Sequence, residues 1–162
     1  MDFVIRRARP EDGEGLARLY LQFWEPHRDV DPLIELKGKA TYRSHLAFAR
    51  RDIRNKDNLI FVAISGDRVV GYIEALVKKN DRCFKINRYG WLNSAVTHKD
   101  YRRRGIAKAL TEKVFEAFEA RGIEHVKATV YNSNRIAMRT WRRLGLKPLS
   151  TNFIYIVRCK NK

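Results

Sequence analysis

The stretch Val96-Thr97-His98-Lys99-Asp100-Tyr101-Arg102-Arg103-Arg104-Gly105-Ile106-Ala107-Lys108-Ala109-Leu110 constrains this chain more than any other. An apolar strand runs into a basic turn, then Gly-x-Ala, then the first apolar stripe of a helix. Gly105 and Ala107 carry almost no side chain, so another group can lie close to the backbone there. The first N–H groups of a helix lack intrahelical partners and carry partial positive charge. With Arg102, Arg103, Arg104 and Lys108 beside them, they describe a seat for an anion, most naturally a phosphate or pyrophosphate. No G-x-x-x-x-G-K-[ST] and no G-x-G-x-x-G occurs, so the turn is neither a nucleotide-triphosphate loop nor a dinucleotide fingerprint. A solvated basic face and a nucleic-acid patch are the rival readings of the arginines.

The chain has 162 residues, enough for one domain with a proper core, and a single domain over residues 1–162 is expected. No apolar run approaches a membrane span, and Met1 to Arg7 lacks a secretory apolar region. Cys83 and Cys159 have neither metal-ligand nor disulfide-framework spacing, so no metal site is expected and the reducing cytoplasm is the simplest compartment. The formal charge is +16, which favours anionic partners. Its distribution is bipolar. After Glu124 there is no acidic residue, whereas Glu25, Asp29, Asp31 and Glu35 share one short Pro-containing segment.

Periodicity sets the order of elements. Phe3 to Arg7 reads as a strand, and Pro10-Glu11-Asp12 opens a helix whose apolar face is Leu16, Leu19, Tyr20 and Phe23. A second helix is expected from Lys39 to Arg54. Leu59 to Ile64 and Val69 to Val77 form a hairpin across Ser65-Gly66-Asp67-Arg68. Phe84 to Thr97 reads as a long strand in which Gly90 signals a bulge or a close backbone approach. A helix from Gly105 to Ala120, a strand from His125 to Tyr131, a helix from Arg135 to Leu144 capped by Asn134, and a last strand from Phe153 to Val157 complete the chain. This order predicts an α/β fold with helices on both faces of a mixed sheet.

Two motifs in this order resemble the GCN5-related N-acetyltransferase (GNAT) superfamily. Arg102-Arg103-Arg104-Gly105-Ile106-Ala107 is similar to its R/Q-x-x-G-x-G/A pyrophosphate turn. Asn134-x-x-Ala137-x-x-x-Trp141-x-x-x-Gly145-Leu146 is similar to its N-x-x-A-x-x-x-Y-x-x-x-G-F. The resemblance implies a single-domain, mostly antiparallel sheet of six to seven strands, splayed between the fourth and fifth. It implies transfer of an acetyl group from acetyl-CoA to a primary amine by direct attack in a ternary complex. The implied cofactor-binding residues are Ser94, Ala95, Val96, Arg102, Arg103, Arg104, Gly105, Ile106, Ala107, Lys108, Asn134, Ala137, Arg139 and Trp141. The Val96 N–H is expected to donate to the thioester carbonyl as negative charge develops there.

The chain departs from the family at its acid and base. The usual tyrosine is Trp141, whose indole N–H is no useful proton donor. The strand positions that carry a glutamate in some subfamilies are Leu92 and Thr129. Tyr131 is the substitute expected as acid, with Tyr155, Tyr89 and Tyr72 behind it. Glu74, inside an otherwise apolar strand, is the substitute base, beside His27 and Glu25, although alternation in a half-buried strand favours the plainer reading that Glu74 faces solvent. Trp24, Glu25, His27 and Asp29 are the expected acceptor-binding residues, because carboxylates and an aromatic suit a cationic amine. The +16 field repels small polycations at long range, so a protein or peptide amine is expected, with a small-molecule amine as the alternative. A non-catalytic acyl-CoA-binding module and a basic nucleic-acid-associated protein are the further alternatives. A homodimer is compatible with the sequence, and no membrane partner is expected.

Overall fold

The structure is a computed structural model that describes residues 2–24, 27, 31, 33 and 42–154. Among the described residues five strands form one sheet in the order β1-β2-β3-β4-β5: β1 (Val4–Arg7), β2 (Asn58–Ser65), β3 (Arg68–Lys79), β4 (Arg88–Thr97) and β5 (Val126–Ala128). The first four pair antiparallel and β5 runs parallel to β4. Helices α1 (Gly13–Trp24) and α2 (Tyr42–Arg54) lie between β1 and β2, α3 (Ile106–Glu119) lies between β4 and β5, and α4 (Arg135–Arg143) follows β5. Among the described residues no helix is long and apolar enough to cross a membrane.

The sheet separates two cores, and β2 shows how the sequence builds them. Leu59, Phe61 and Ala63 point to the α3 side, while Ile60, Val62 and Ile64 point to the α1/α2 side. A strand covered on both faces reads as an unbroken apolar run, as β2 does. On one face α3 lays down Ile106, Leu110, Val114 and Phe118, one residue per turn. On the other, Leu16, Ala17, Leu19 and Tyr20 of α1 pack with Ala49 of α2. Entry into α1 is fixed by Asp12, which is buried and accepts bonds from the Arg6 guanidinium at 2.6 and 2.8 Å and from the Arg9 N–H at 2.7 Å. This bidentate pair ties β1 to the helix that will roof the site.

The observed elements differ from the expected ones in four places. β4 begins at Arg88 rather than Phe84, because residues 80–87 close a loop on themselves: the Asn80 N–H donates to the Asn87 carbonyl at 2.7 Å, and Phe84 and Ile86 stay exposed. β5 is three residues long rather than seven. The first helix is preceded by a 3-10 turn over Pro10–Asp12. Phe153 and Ile154 are exposed and not in a strand, while residues 155–157 of the expected last strand and 39–41 of the expected second helix lie outside the described residues.

Gly90 marks a close approach. A Cβ built there would meet the Phe118 ring at 2.5 Å, so α3 packs directly against the β4 backbone. Gly90→Ala is expected to lower stability by about 1–3 kcal/mol through overpacking, read as a lower denaturant midpoint at unchanged slope.

Candidate active site

The β4–β5 pairing covers only Gly90↔Val126, Trp91↔Lys127 and Leu92↔Ala128. Beyond Leu92, β4 continues to Thr97 with β3 on one side, while residues 129–131 leave the ladder. The sheet therefore opens into a gap between two diverging arms. The opening coincides with a bulge: Ala75 pairs with Leu92 and Glu74 with Ser94, leaving Asn93 as an extra residue on β4.

The bulge reverses which backbone amides face the gap. Before it, the Gly90 N–H donates across to the His125 carbonyl at 2.8 Å, on the β5 side. After it, the His98 N–H donates to the Val70 carbonyl at 2.8 Å, on the β3 side. Amides alternate along a strand, so the Val96 N–H also faces β3, and those of Ala95 and Thr97 face the gap. The Val96 carbonyl confirms the sense, lying 3.2 Å from the Cβ position of Gly71 on β3. This corrects the expectation for Val96: its amide is directed into the sheet, because Asn93 shifts the alternation by one residue.

The strand ends in the basic turn. His98 leads a 3-10 turn over Lys99–Tyr101, and the Arg102 Nε–H donates back to the Thr97 carbonyl at 3.3 Å. Arg103 and Gly105 both adopt left-handed backbone, at φ 60° and 82°. For Gly105 this carries no steric penalty, and nothing lies within 4 Å of where its Cβ would be. The Ala109 N–H is the first amide of α3 to bond back, to the Gly105 carbonyl at 3.0 Å. The amides of Ile106, Ala107 and Lys108 thus point out of the helix start into open space. Arg104 lies over the Tyr101 ring at 5.1 Å, and Lys108 pairs with Glu112 at 3.6 Å. Arg102 and Arg103 make no ion pair among the described residues. The turn and helix start thus gather Arg102, Arg103, Arg104, Gly105, Ile106, Ala107 and Lys108, and the Ile106 side chain is committed to the α3-side core.

The second motif is placed differently. Asn134 caps α4, its Oδ1 accepting from the Ala137 N–H at 3.0 Å, which leaves its Nδ2 free of that bond. Trp141 is half-buried against the α3-side core. Arg139 is exposed on α4, in a depression shared with Arg135, Arg142 and Arg143.

A third cluster closes on the far arm of the gap. Beyond α1, His27 stacks 4.6 Å from Phe23 and 5.1 Å from Tyr131, and Trp24 lies edge-on to it at 6.3 Å. His27 Nδ1 is bonded to the Phe23 carbonyl, so Nδ1 carries the proton in the neutral ring and Nε2 presents a lone pair. The Tyr131 hydroxyl donates to Asp31 Oδ2 at 2.5 Å. Burial first and the Asp31 carboxylate second push the Tyr131 phenol up to about 12. The same bond, with the Leu33 N–H, holds Asp31 below the usual carboxylate range. Glu25 and Asp29 lie outside the described residues.

Glu74 does not face solvent. It is 6% exposed on the α1/α2 side of β3, and burial raises its pKa against the opposing bond from Asn93. Its carboxylate accepts from Asn93 Nδ2 at 3.0 Å, Ser94 Oγ at 3.2 Å and Asn58 Nδ2 at 3.2 Å. Leu92 is buried in the core, Thr129 is exposed, and Tyr72 is buried with its hydroxyl pushed far up by desolvation. The sequence reading missed the bulge at Asn93 and the Tyr131–Asp31 bond. A polar residue within an apolar strand was the one local signal for the first.

The Acetyltransferase (GNAT) family profile matches residues 13–146. The chain belongs to the GNAT acetyltransferase family. The GNAT chain is 31% identical over 118 residues to N-alpha-acetyltransferase 30 of Schizosaccharomyces pombe, which covers 73% of this chain and 75% of that protein. Its fold is shared with a tetramutant of the BH1408 protein from Bacillus halodurans, at TM-score 0.82 and 16% identity over 95% of this chain and 99% of that one. It is also shared with aminoglycoside N-acetyltransferase AAC(6')-Iy in complex with CoA, at TM-score 0.77 and 19% identity over 98% and 96% of the two chains. This GNAT protein is an acetyl-CoA-dependent acyltransferase. The left-handed turn, the open space at Gly105 and the outward amides of 106–108 suit the phosphates of that donor.

Gly105→Glu introduces a carboxylate and a side chain at φ 82° into this anion seat. It is expected to weaken acetyl-CoA binding by about tenfold or more, measured calorimetrically at near-physiological salt.

Proposed function

We propose that this GNAT enzyme acetylates the amine of a protein or peptide, in the first instance an N-terminal α-amine. The observation that carries the reading is the cluster of Trp24, His27, Asp31 and Tyr131, which joins the end of α1 to the far arm of the gap. Aromatic faces with one anionic carboxylate suit a single ammonium group. The relative at 31% identity is named an N-alpha-acetyltransferase, whereas the aminoglycoside enzymes at 19% share the fold. The net charge of +16 further disfavours small polycations, although salt limits that repulsion to about 8 Å.

Acetyl-CoA, when bound, supplies an electrophilic thioester carbonyl. The chain's own contributions follow from its geometry. Amides of residues 106–108, with Arg102 and Arg103, hold the phosphates. The outward amides of Ala95 and Thr97 serve the pantetheine arm and the carbonyl oxygen on which negative charge develops. An α-ammonium has a pKa near ~8 and must lose a proton before attack, for which His27 Nε2, left with its lone pair by the Nδ1 bond to Phe23, is the acceptor. Tyr131, bonded to Asp31, orients the amine side of the site. Its raised pKa makes it a weaker acid than a free phenol.

The test is a thiol-release assay across peptides with free α-amines, α-blocked lysine peptides, polyamines and an aminoglycoside. Turnover is expected on free-α-amine peptides. Turnover on the small polycations without any on peptides would replace this acceptor class.

Tyr131→Phe keeps the ring contact and removes the bond to Asp31. The expected result is an acceptor KM raised by about three- to tenfold with acetyl-CoA affinity unchanged. A fall in kcat of about a hundredfold at constant KM would instead make Tyr131 the proton donor.

A further inference from the structure

The Glu74 carboxylate stands where the sheet changes register, and its partners span the irregularity. Oε2 accepts from both Asn93, the extra residue of the bulge, and Ser94, the residue after it. Oε1 accepts from Asn58 at the start of β2. One side chain on β3 therefore ties β2 to β4 across the point where the gap opens. Asn93 itself is exposed, and its side-chain amide is held by the Glu74 carboxylate.

We propose that Glu74 is a positioning residue: its carboxylate clamps the Asn93–Ser94 bulge and so keeps the Ala95 and Thr97 amides turned into the gap. A bulge-free register would shift β4 by one residue against β3. The Val96 amide would then face the gap, and those of Ala95 and Thr97 would be consumed by the β3 ladder. An apolar residue at 74 leaves three donors without their acceptor and removes the preference for the bulged register. Glutamine can keep the clamp. Its carbonyl takes the place of Oε2, and its amide meets the Asn58 side chain turned over to present oxygen. Service as a base is a different role, because both oxygens are already engaged and the group is 6% exposed.

The inference rests on the reading that Ala95 and Thr97 face the bound donor, and is independent of which amine is the acceptor. The experiment uses the full chain as wild type, Glu74→Gln, Glu74→Leu and Asn93→Ala. It measures acetyl-CoA affinity by calorimetry, amide hydrogen exchange along β4, and kcat with its pH profile on the best amine found. In wild type, Val96 is expected to be protected without ligand, while Ala95 and Thr97 become protected when acetyl-CoA is added. Failure of that wild-type pattern sinks the seat reading and the inference together, whatever the acceptor panel gives. Glu74→Gln is expected to stay within about threefold of wild type in affinity and kcat, with the same pH profile. Glu74→Leu and Asn93→Ala are expected to lose about tenfold in affinity and to lose ligand-induced protection at Ala95 and Thr97. Should Glu74→Leu fail to fold, Asn93→Ala and Glu74→Gln decide alone. Two results overturn the clamp. One is a loss of about a hundredfold in kcat for Glu74→Gln at wild-type affinity, with its acidic limb gone, which is the behaviour of a base. The other is wild-type affinity and protection in Asn93→Ala.

Discussion

One extra residue in β4 organises this molecule. Without Asn93, β4 would run as a regular strand with its amides shared between β3 and β5. With it, the pairing to β5 ends at Leu92↔Ala128 while the pairing to β3 continues to Thr97. The strand keeps one neighbour and turns the Ala95 and Thr97 amides into a gap. Bulges bend a strand and raise its local twist, and here the bend separates two arms that have to admit a substrate. The two cores make this tolerable. Tyr72 and Ile73, beside the bulge, are 1% exposed and anchored on opposite faces, so the irregularity is confined to β4.

The charge distribution follows the same geometry. The end of the bent strand delivers the chain to a turn with two left-handed residues, which aims successive amides at one point before α3 begins. A helix start carries about half a positive charge, and the arginines there add to it; among the described residues neither Arg102 nor Arg103 is in an ion pair. Of the acidic segment that follows α1, the described carboxylate is Asp31, which is held by Tyr131 on the far arm of the gap. In the proposed function a donor with several phosphates and an acceptor with an ammonium are drawn to different ends of one opening.

Most of the element order was legible because it depends on local signals. Alternation in β2, the apolar stripe of α3, and Asn134 as the cap of α4 are each decided within a few residues, and the structure contains them. The turn that opens α3 was equally legible, since Gly105 needs no distant partner to mark a left-handed helix start. What was not legible depends on tertiary pairing. Gly90 signalled a bulge or a close backbone approach; it is the close approach, to Phe118, and the bulge sits three residues later. That displacement alone reverses the reading of Val96. β5 looked seven residues long because Thr129 to Tyr131 continue its alternation, but a strand ends where its partner leaves it. The Tyr131–Asp31 bond joins residues a hundred positions apart and has no local signature.

Two carboxylates near the gap have opposite environments, and this divides their work. Asp31 lies at the surface with a phenol and a backbone N–H as donors, both of which favour its ionised form. It stays anionic at neutral pH, and the stabilisation from its bonds is lost only as the pH falls through its depressed value. Glu74 lies inside, where desolvation favours the neutral form and the Asn93 and Ser94 bonds offset part of that preference. Enclosed by amide and hydroxyl donors from β2 and β4, it presents little field to a ligand. In the proposed function an arriving ammonium is drawn by Asp31, and in the proposed clamp Glu74 acts through the backbone it holds. A chain that lacks the family's usual acid and base positions can still hold the geometry of transfer in this way. In this proposal the amides that bear on the carbonyl come from the strand, and the strand's register comes from a side chain on its neighbour.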